Sequence, residues 1–106
     1  MATNEIYEGM KDIARECLPE EADAILFGSR ARGDARNDSD WDLLILIPGE
    51  RASSEDFQRY AYPFVDYGWE VGASINPLLY TYSDWQRRSI TPFYKNVQSE
   101  GISLCH

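Results

Sequence analysis

The run Leu43-Leu44-Ile45-Leu46-Ile47 is the longest unbroken apolar stretch of the chain, with a Gly- and Asp-rich segment before it and Pro48-Gly49 after it. It is far shorter than the roughly 20 residues a membrane-spanning helix requires. With Trp41 at its start it reads as a buried strand, Trp41 to Ile47, stopped by the Pro-Gly turn. Ala24-Ile25-Leu26-Phe27 is a second apolar run, and its end at Gly28 suits a buried strand feeding a tight turn better than a one-turn helix. Neither run offers a polar face to water, so both strands are expected to be central in a sheet.

Helical periodicity surrounds these strands. Ile6, Met10, Ile13, Ala14 and Cys17 recur on one face, Thr3 or Asn4 can cap the start, and Leu18-Pro19 stops the run. Ser53 or Ser54 before Glu55-Asp56 marks another start, followed by Phe57, Tyr60, Ala61, Phe64 and Val65 at helical spacing, with Pro63 as an expected kink. From Glu70 to Thr81 the pattern reads as extended, and Pro77, which has no N–H for a ladder, implies an edge strand or a bulge. Thr91-Pro92 opens a last helix that Gly101 closes before Ile102-Ser103-Leu104. The expectation is an α/β (α+β) fold: a small mixed sheet of three to four strands covered by helices, one domain spanning residues 1–106.

Ten basic against 18 acidic residues give a net charge of −8, which repels a nucleic-acid backbone or an anionic bilayer. Nonspecific nucleic-acid binding and membrane association are therefore not expected. Cys17 and Cys105 lack any zinc-type spacing and read as two reduced thiols. With Glu5 and Glu8 where a basic-then-apolar leader would stand, the expected location is the cytoplasm.

The chemistry is concentrated in residues 28–42, between the two best strands. Gly28-Ser29 follows a strand directly. There a glycine lets backbone amides approach a phosphate, a hydroxyl adds a donor, and a short helix would aim its positive end at the anion. Arg30, Arg32 and Arg36 lie in the same loop, and a planar guanidinium matches phosphate oxygens in a bidentate way. Asp40 and Asp42 open the next strand with their side chains on one face, about 6.6 Å apart along the backbone. Two such carboxylates can share Mg²⁺, which favours a few carboxylates with phosphate oxygens and water. A pair of ions can also clamp both oxygens of a displacement at phosphorus. Asp34, Asp38, Asp40 and Asp42 against three arginines leave the segment near neutral, so the acidic pair calls for a cation if it is to stay ionised away from water.

Gly28-Ser29, ten intervening residues, then Asp40-Trp41-Asp42 and an apolar strand resemble the signature of the DNA polymerase β-type nucleotidyltransferase superfamily, in particular the minimal nucleotidyltransferases of bacteria and archaea. The tail, Pro92-Phe93-Tyr94-Lys95-Asn96-Val97 through Glu100-Gly101-Ile102-Ser103-Leu104, is similar to the end of those proteins. The resemblance implies one or two Mg²⁺ ions held by Asp40 and Asp42, and transfer of a nucleoside monophosphate, AMP from ATP or its equivalent from another NTP, with loss of pyrophosphate. It also implies a hydroxyl acceptor supplied by a partner, in the minimal branch often a helical HEPN-type toxin to which the nucleotidyltransferase is antitoxin. Assembly with further copies of the chain is compatible with this reading.

The family's third carboxylate stands on the third strand. Here, over Ile75 to Thr81, its place falls on Asn76, whose carbonyl can bind an ion but which accepts no proton at neutral pH. Glu70, six extended residues away, would lie roughly 20 Å off. Four outcomes follow: a bulge at Pro77 recruits another group, Asp38 lends its carboxylate, the acceptor brings its own base, or transfer is slow or lost. The last makes the chain a noncatalytic binding module that neutralises or regulates a partner. Trp69, Tyr80, Tyr82, Trp85 and Tyr94 are expected to pack in the core and on the sheet face, and His106, the sole histidine, is given no role.

Overall fold

The computed structural model describes residues 3–105; His106 falls outside them. Ten helices and strands follow one another: α1 (Thr3–Cys17), β1 (Asp23–Phe27), α2 (Ser29–Arg32), β2 (Trp41–Ile47), α3 (Ser54–Asp56), α4 (Tyr62–Val71), β3 (Ile75–Thr81), α5 (Tyr82–Arg87), α6 (Pro92–Glu100) and β4 (Ile102–Ser103). The strands form one mixed sheet in the order β3-β2-β1-β4. β1 runs antiparallel to both β2 and β4, whereas β2 and β3 are parallel and are joined by the long helical connection that a parallel pair requires.

The absence of alternation in the two apolar runs now has its cause. Leu43, Ile45 and Ile47 face one side of the sheet and pack with Ile6, Met10, Ala14 and Phe64 from α1 and α4. Leu44 and Leu46 face the other side and pack with Trp85 and Val97 from α5 and α6. β1 divides in the same way, with Ala24 and Leu26 on the first side and Ile25 and Phe27 on the second. Both strands are central, as expected. Trp85 anchors the second side, its ring 4.8 Å from that of Tyr94, 5.6 Å from Phe93 and 5.9 Å from Tyr80.

The helix expected from Ser53 onward forms, but Pro63 does not break it. Phe57–Ala61 form one widened π-type turn between α3 and α4, with the Tyr62 N–H reaching the Phe57 carbonyl. Such a turn relieves the ladder where the proline supplies no donor. The helix then continues to Val71, so Glu70 is helical and exposed, which corrects the extended reading of that residue. Trp69 is also on this helix and is 82% exposed, so it does not join the core. β3 occupies a sheet edge, where Pro77 costs no interior hydrogen bond. Its register against β2 runs unbroken through Asp42↔Asn76, Leu43↔Pro77 and Leu44↔Leu78, which rules out the bulge. The short helix α5 was not expected.

Caps set three of the helix starts, at Ser53, Thr81 and Thr91. Ser53 and Asp56 bond reciprocally, each side chain accepting the other's backbone N–H, and the Thr91 hydroxyl accepts from the Tyr94 N–H, with Pro92 in the first helical turn. Ser53→Ala and Thr91→Ala are each expected to cost about 1 kcal/mol of stability, read as a lower urea midpoint at unchanged slope.

Candidate active site

β1 ends at Phe27, which pairs across the sheet with Asp42. The chain then turns sharply at Gly28, whose φ of 78° and ψ of −159° lie in a region essentially restricted to glycine. A Cβ on Gly28 would lie 2.6 Å from Asp42 Oδ2. The Gly-Ser corner and the carboxylate are thus in van der Waals contact. Glycine is needed here twice, for the backbone angle and for the space.

Asp42 is half-buried, and its carboxyl is held above the ordinary range first by burial, then by the negative charge of Asp40, with the Arg32 guanidinium acting in the opposite direction. Asp40 itself is exposed, immediately before β2. Asn76 stands beside Asp42 on the neighbouring strand, so the position of the expected third carboxylate is adjacent to the pair and holds a neutral amide. Asp38 is exposed in the loop.

The three arginines have different fates. Arg32 is gripped by Asp34 at 3.2 Å and by both carboxylate oxygens of Glu100 at 3.2 Å, at the edge of the site. Arg30 donates to the Ser39 carbonyl at 2.8 Å and the Asn37 carbonyl at 3.2 Å, and its guanidinium lies 4.5 Å from the centre of the Trp41 ring. Its charge braces the loop that delivers Asp40, so direct phosphate contact, expected from the sequence, would require breaking those bonds. Arg36 is exposed and forms no ion pair among the described residues, while its backbone N–H donates to Ser39 Oγ at 2.8 Å.

Glu100 was not singled out by sequence reasoning. It ends α6, and its Oε1 accepts the Gly28 N–H at 3.1 Å. The Gly28 amide is therefore committed within the fold. The donors left for an anion at the corner are the first-turn N–H groups of Ser29 and Arg30, which have no backbone acceptor among the described residues, and the Ser29 hydroxyl.

No cluster of three or more His, Cys, Asp or Glu side chains suited to a metal occurs among the described residues. The donor set is two carboxylates beside an amide carbonyl, and one of those carboxyls is raised by burial and then by its neighbour's charge. Such a set is too sparse to cage an ion by protein alone. It fits the way Mg²⁺ is bound together with substrate phosphates, through one or two carboxylates.

With that geometry in hand, the family is clear: residues 8–103 match the nucleotidyltransferase domain model, and the chain belongs to that family. It is 30% identical over 99 residues to a Methanocaldococcus jannaschii protein classed as a protein adenylyltransferase, covering 93% of this chain and 94% of that one. Among solved structures it is similar to a toxin–antitoxin crystallised with AMP-PNP, with a TM-score of 0.63 and 17% identity over 92% of this chain and 71% of that one. It is also similar to the toxin–antitoxin MntA–HpeT in a doubly substituted form, with a TM-score of 0.62 and 15% identity, again over 92% and 71% of the two chains. At those identities the two structures establish the shared fold.

Proposed function

We propose that the protein is a Mg²⁺-dependent nucleotidyltransferase that moves AMP from ATP to a hydroxyl on a partner protein, as the antitoxin of a HEPN-type pair in the cytoplasm. The observation that carries the reading is the contact between the Gly28 backbone and the Asp42 carboxylate, with Asp40 close enough to act on Asp42 electrostatically. It brings a corner with free N–H donors and an anionic pair to one point, which is what a magnesium-bound triphosphate requires. The family membership supports the reaction class, and the toxin–antitoxin complexes among similar structures support the kind of partner.

In this reading Ser29, through its N–H and hydroxyl, seats the triphosphate, Gly28 shapes the corner, and Asp40 and Asp42 hold the ion, with Asn76 offering its carbonyl oxygen. When bound, Mg²⁺ neutralises phosphate charge and polarises the α-phosphorus. Arg32, paired with Asp34 and Glu100, offsets part of the charge of Asp42 from the rim, and Arg36 is the loop arginine available to outer phosphate oxygens. The acceptor oxygen forms the new bond to the α-phosphorus, the bond to the bridging oxygen breaks, and pyrophosphate leaves. The acceptor's proton goes to solvent or to a base brought by the partner, since Asn76 accepts none.

The position of Asn76 beside Asp42 favours one alternative, a binding module that neutralises its partner without transfer. Incubation with ATP labelled in the α-phosphate, Mg²⁺ and the protein encoded beside it separates the two. The transfer reading expects a mass gain of one AMP on the partner; tight complex formation at unchanged mass would replace it with the binding module.

A further inference from the structure

The C-terminal end of α6 reaches back to the Gly-Ser corner through one side chain. Glu100 Oε1 accepts the Gly28 N–H, and both oxygens hold Arg32. An anion at a helix C-terminus faces the negative end of the helix dipole, and α6 has no basic residue in its last turn, so these contacts supply the compensation. The backbone behind Glu100 is fixed in place. A Cβ on Gly101 would lie 2.5 Å from the Val97 carbonyl oxygen and 2.6 Å from Ile25 Cγ2, and Ile102 and Ser103 pair at once with Leu26 and Ile25.

Glu100 is thus presented from the tight joint between α6 and β4, which pairs with β1. Its side chain is only 19% exposed, against 47% for Arg32. The bond to the Gly28 N–H is the better shielded of its two contacts, and the ion pair with Arg32 is screened by solvent.

We propose that Glu100 is a positioning residue for nucleotide binding: by anchoring the Gly28 N–H it fixes the Phe27–Gly28 peptide from which the corner turns, and so sets the direction in which the Ser29 and Arg30 donors meet the phosphates. The proposal rests on the nucleotide-binding reading above. It makes the C-terminal helix part of the site although it supplies no ligand to the nucleotide.

The test is calorimetric titration of the full chain with ATP and Mg²⁺, in parallel with thermal melting, for the wild type, Glu100→Asp and Glu100→Gln. Aspartate is one methylene shorter and cannot span to Gly28 from the fixed joint, so its affinity is expected to fall about tenfold, equivalent to about 1.4 kcal/mol. Glutamine keeps an acceptor oxygen at the same reach and should recover most of that loss, with melting temperatures of all three close together. Wild-type affinity in Glu100→Asp overturns the proposal, as does affinity that merely tracks melting temperature across the three proteins. Tighter binding by Glu100→Asp also overturns it, because it would mark Glu100 as a stand-in anion that phosphate must evict. Failure of the wild type itself to bind ATP with Mg²⁺ overturns the nucleotide-binding reading, and this proposal with it.

Discussion

Asp42→Asn is expected to lower nucleotidyl transfer by more than about 100-fold while leaving the ligand-free protein at least as stable as the wild type. The first effect follows from magnitude: residues that only orient metal ligands are worth about 10- to 100-fold, and the proposed function makes Asp42 a ligand itself. The second follows from linkage. Burial and the Asp40 charge raise the Asp42 carboxyl above its unfolded value of about 3.9. A carboxyl raised on folding contributes its full stability below the unfolded value, and that contribution is lost as pH rises through the folded one. At neutral pH the wild type has therefore lost it, and asparagine, which does not ionise, has not. Melting curves should show the variant equal or higher at pH 7, with the difference closing as the pH falls below about 4. A clear drop in melting temperature at pH 7 would mean that Asp42 holds the fold together and is not strained for function. Addition of ATP with Mg²⁺ should reverse the order, since only the wild type gains ligand stabilisation; at 100 times the dissociation constant this is about 2.7 kcal/mol.

Gly28→Ala is expected to abolish transfer and to cost on the order of 1–3 kcal/mol of stability from the backbone conformation alone. The methyl group meets Asp42 Oδ2 at 2.6 Å, so either the carboxylate rotates out of the site or the corner shifts. Both displace groups assigned to the same triphosphate. Gly49→Ala is the control: its φ of 116° is also strained, yet nothing lies within 4 Å of the added Cβ. It should lose stability and keep activity. If Gly28→Ala retained wild-type ATP affinity, the corner would have no part in binding.

The strands and the corner were legible in the sequence because their signals are local. Ala24 to Phe27 and Trp41 to Ile47 are apolar throughout because each strand is packed on both faces. Gly28 sits where a strand must turn without a Cβ. Thr91, Pro92 and Gly101 mark the limits of α6, and Pro77 marked β3 for the edge that it occupies.

What escaped was long-range or masked by mixed signals. Glu70, with Trp69 and Val71 beside it, reads as extended, but the helix runs on to Val71 and ends only at Gly72. The helix α5 starts directly at the end of β3, where the Thr81 hydroxyl accepts the Asp84 N–H, and so short a helix carries no periodic signal of its own. Arg30 looks like a phosphate ligand on charge alone, and only the fold reveals the Ser39 and Asn37 carbonyls that bind it. Glu100 is 72 residues from Gly28, and the pairing of β4 with β1 that brings them together leaves no periodic trace.

The most direct test of the shared site is a two-dimensional NMR titration of the isotopically labelled chain with ATP, with and without Mg²⁺. The expected result is Mg²⁺-dependent shifts concentrated at the amides of Gly28, Ser29, Arg30, Asp40 and Asp42, with the Ser53 and Thr91 caps unmoved. Shifts confined to other surfaces, or none at saturating nucleotide, would contradict the placement of a nucleotide between the Gly-Ser corner and the aspartates.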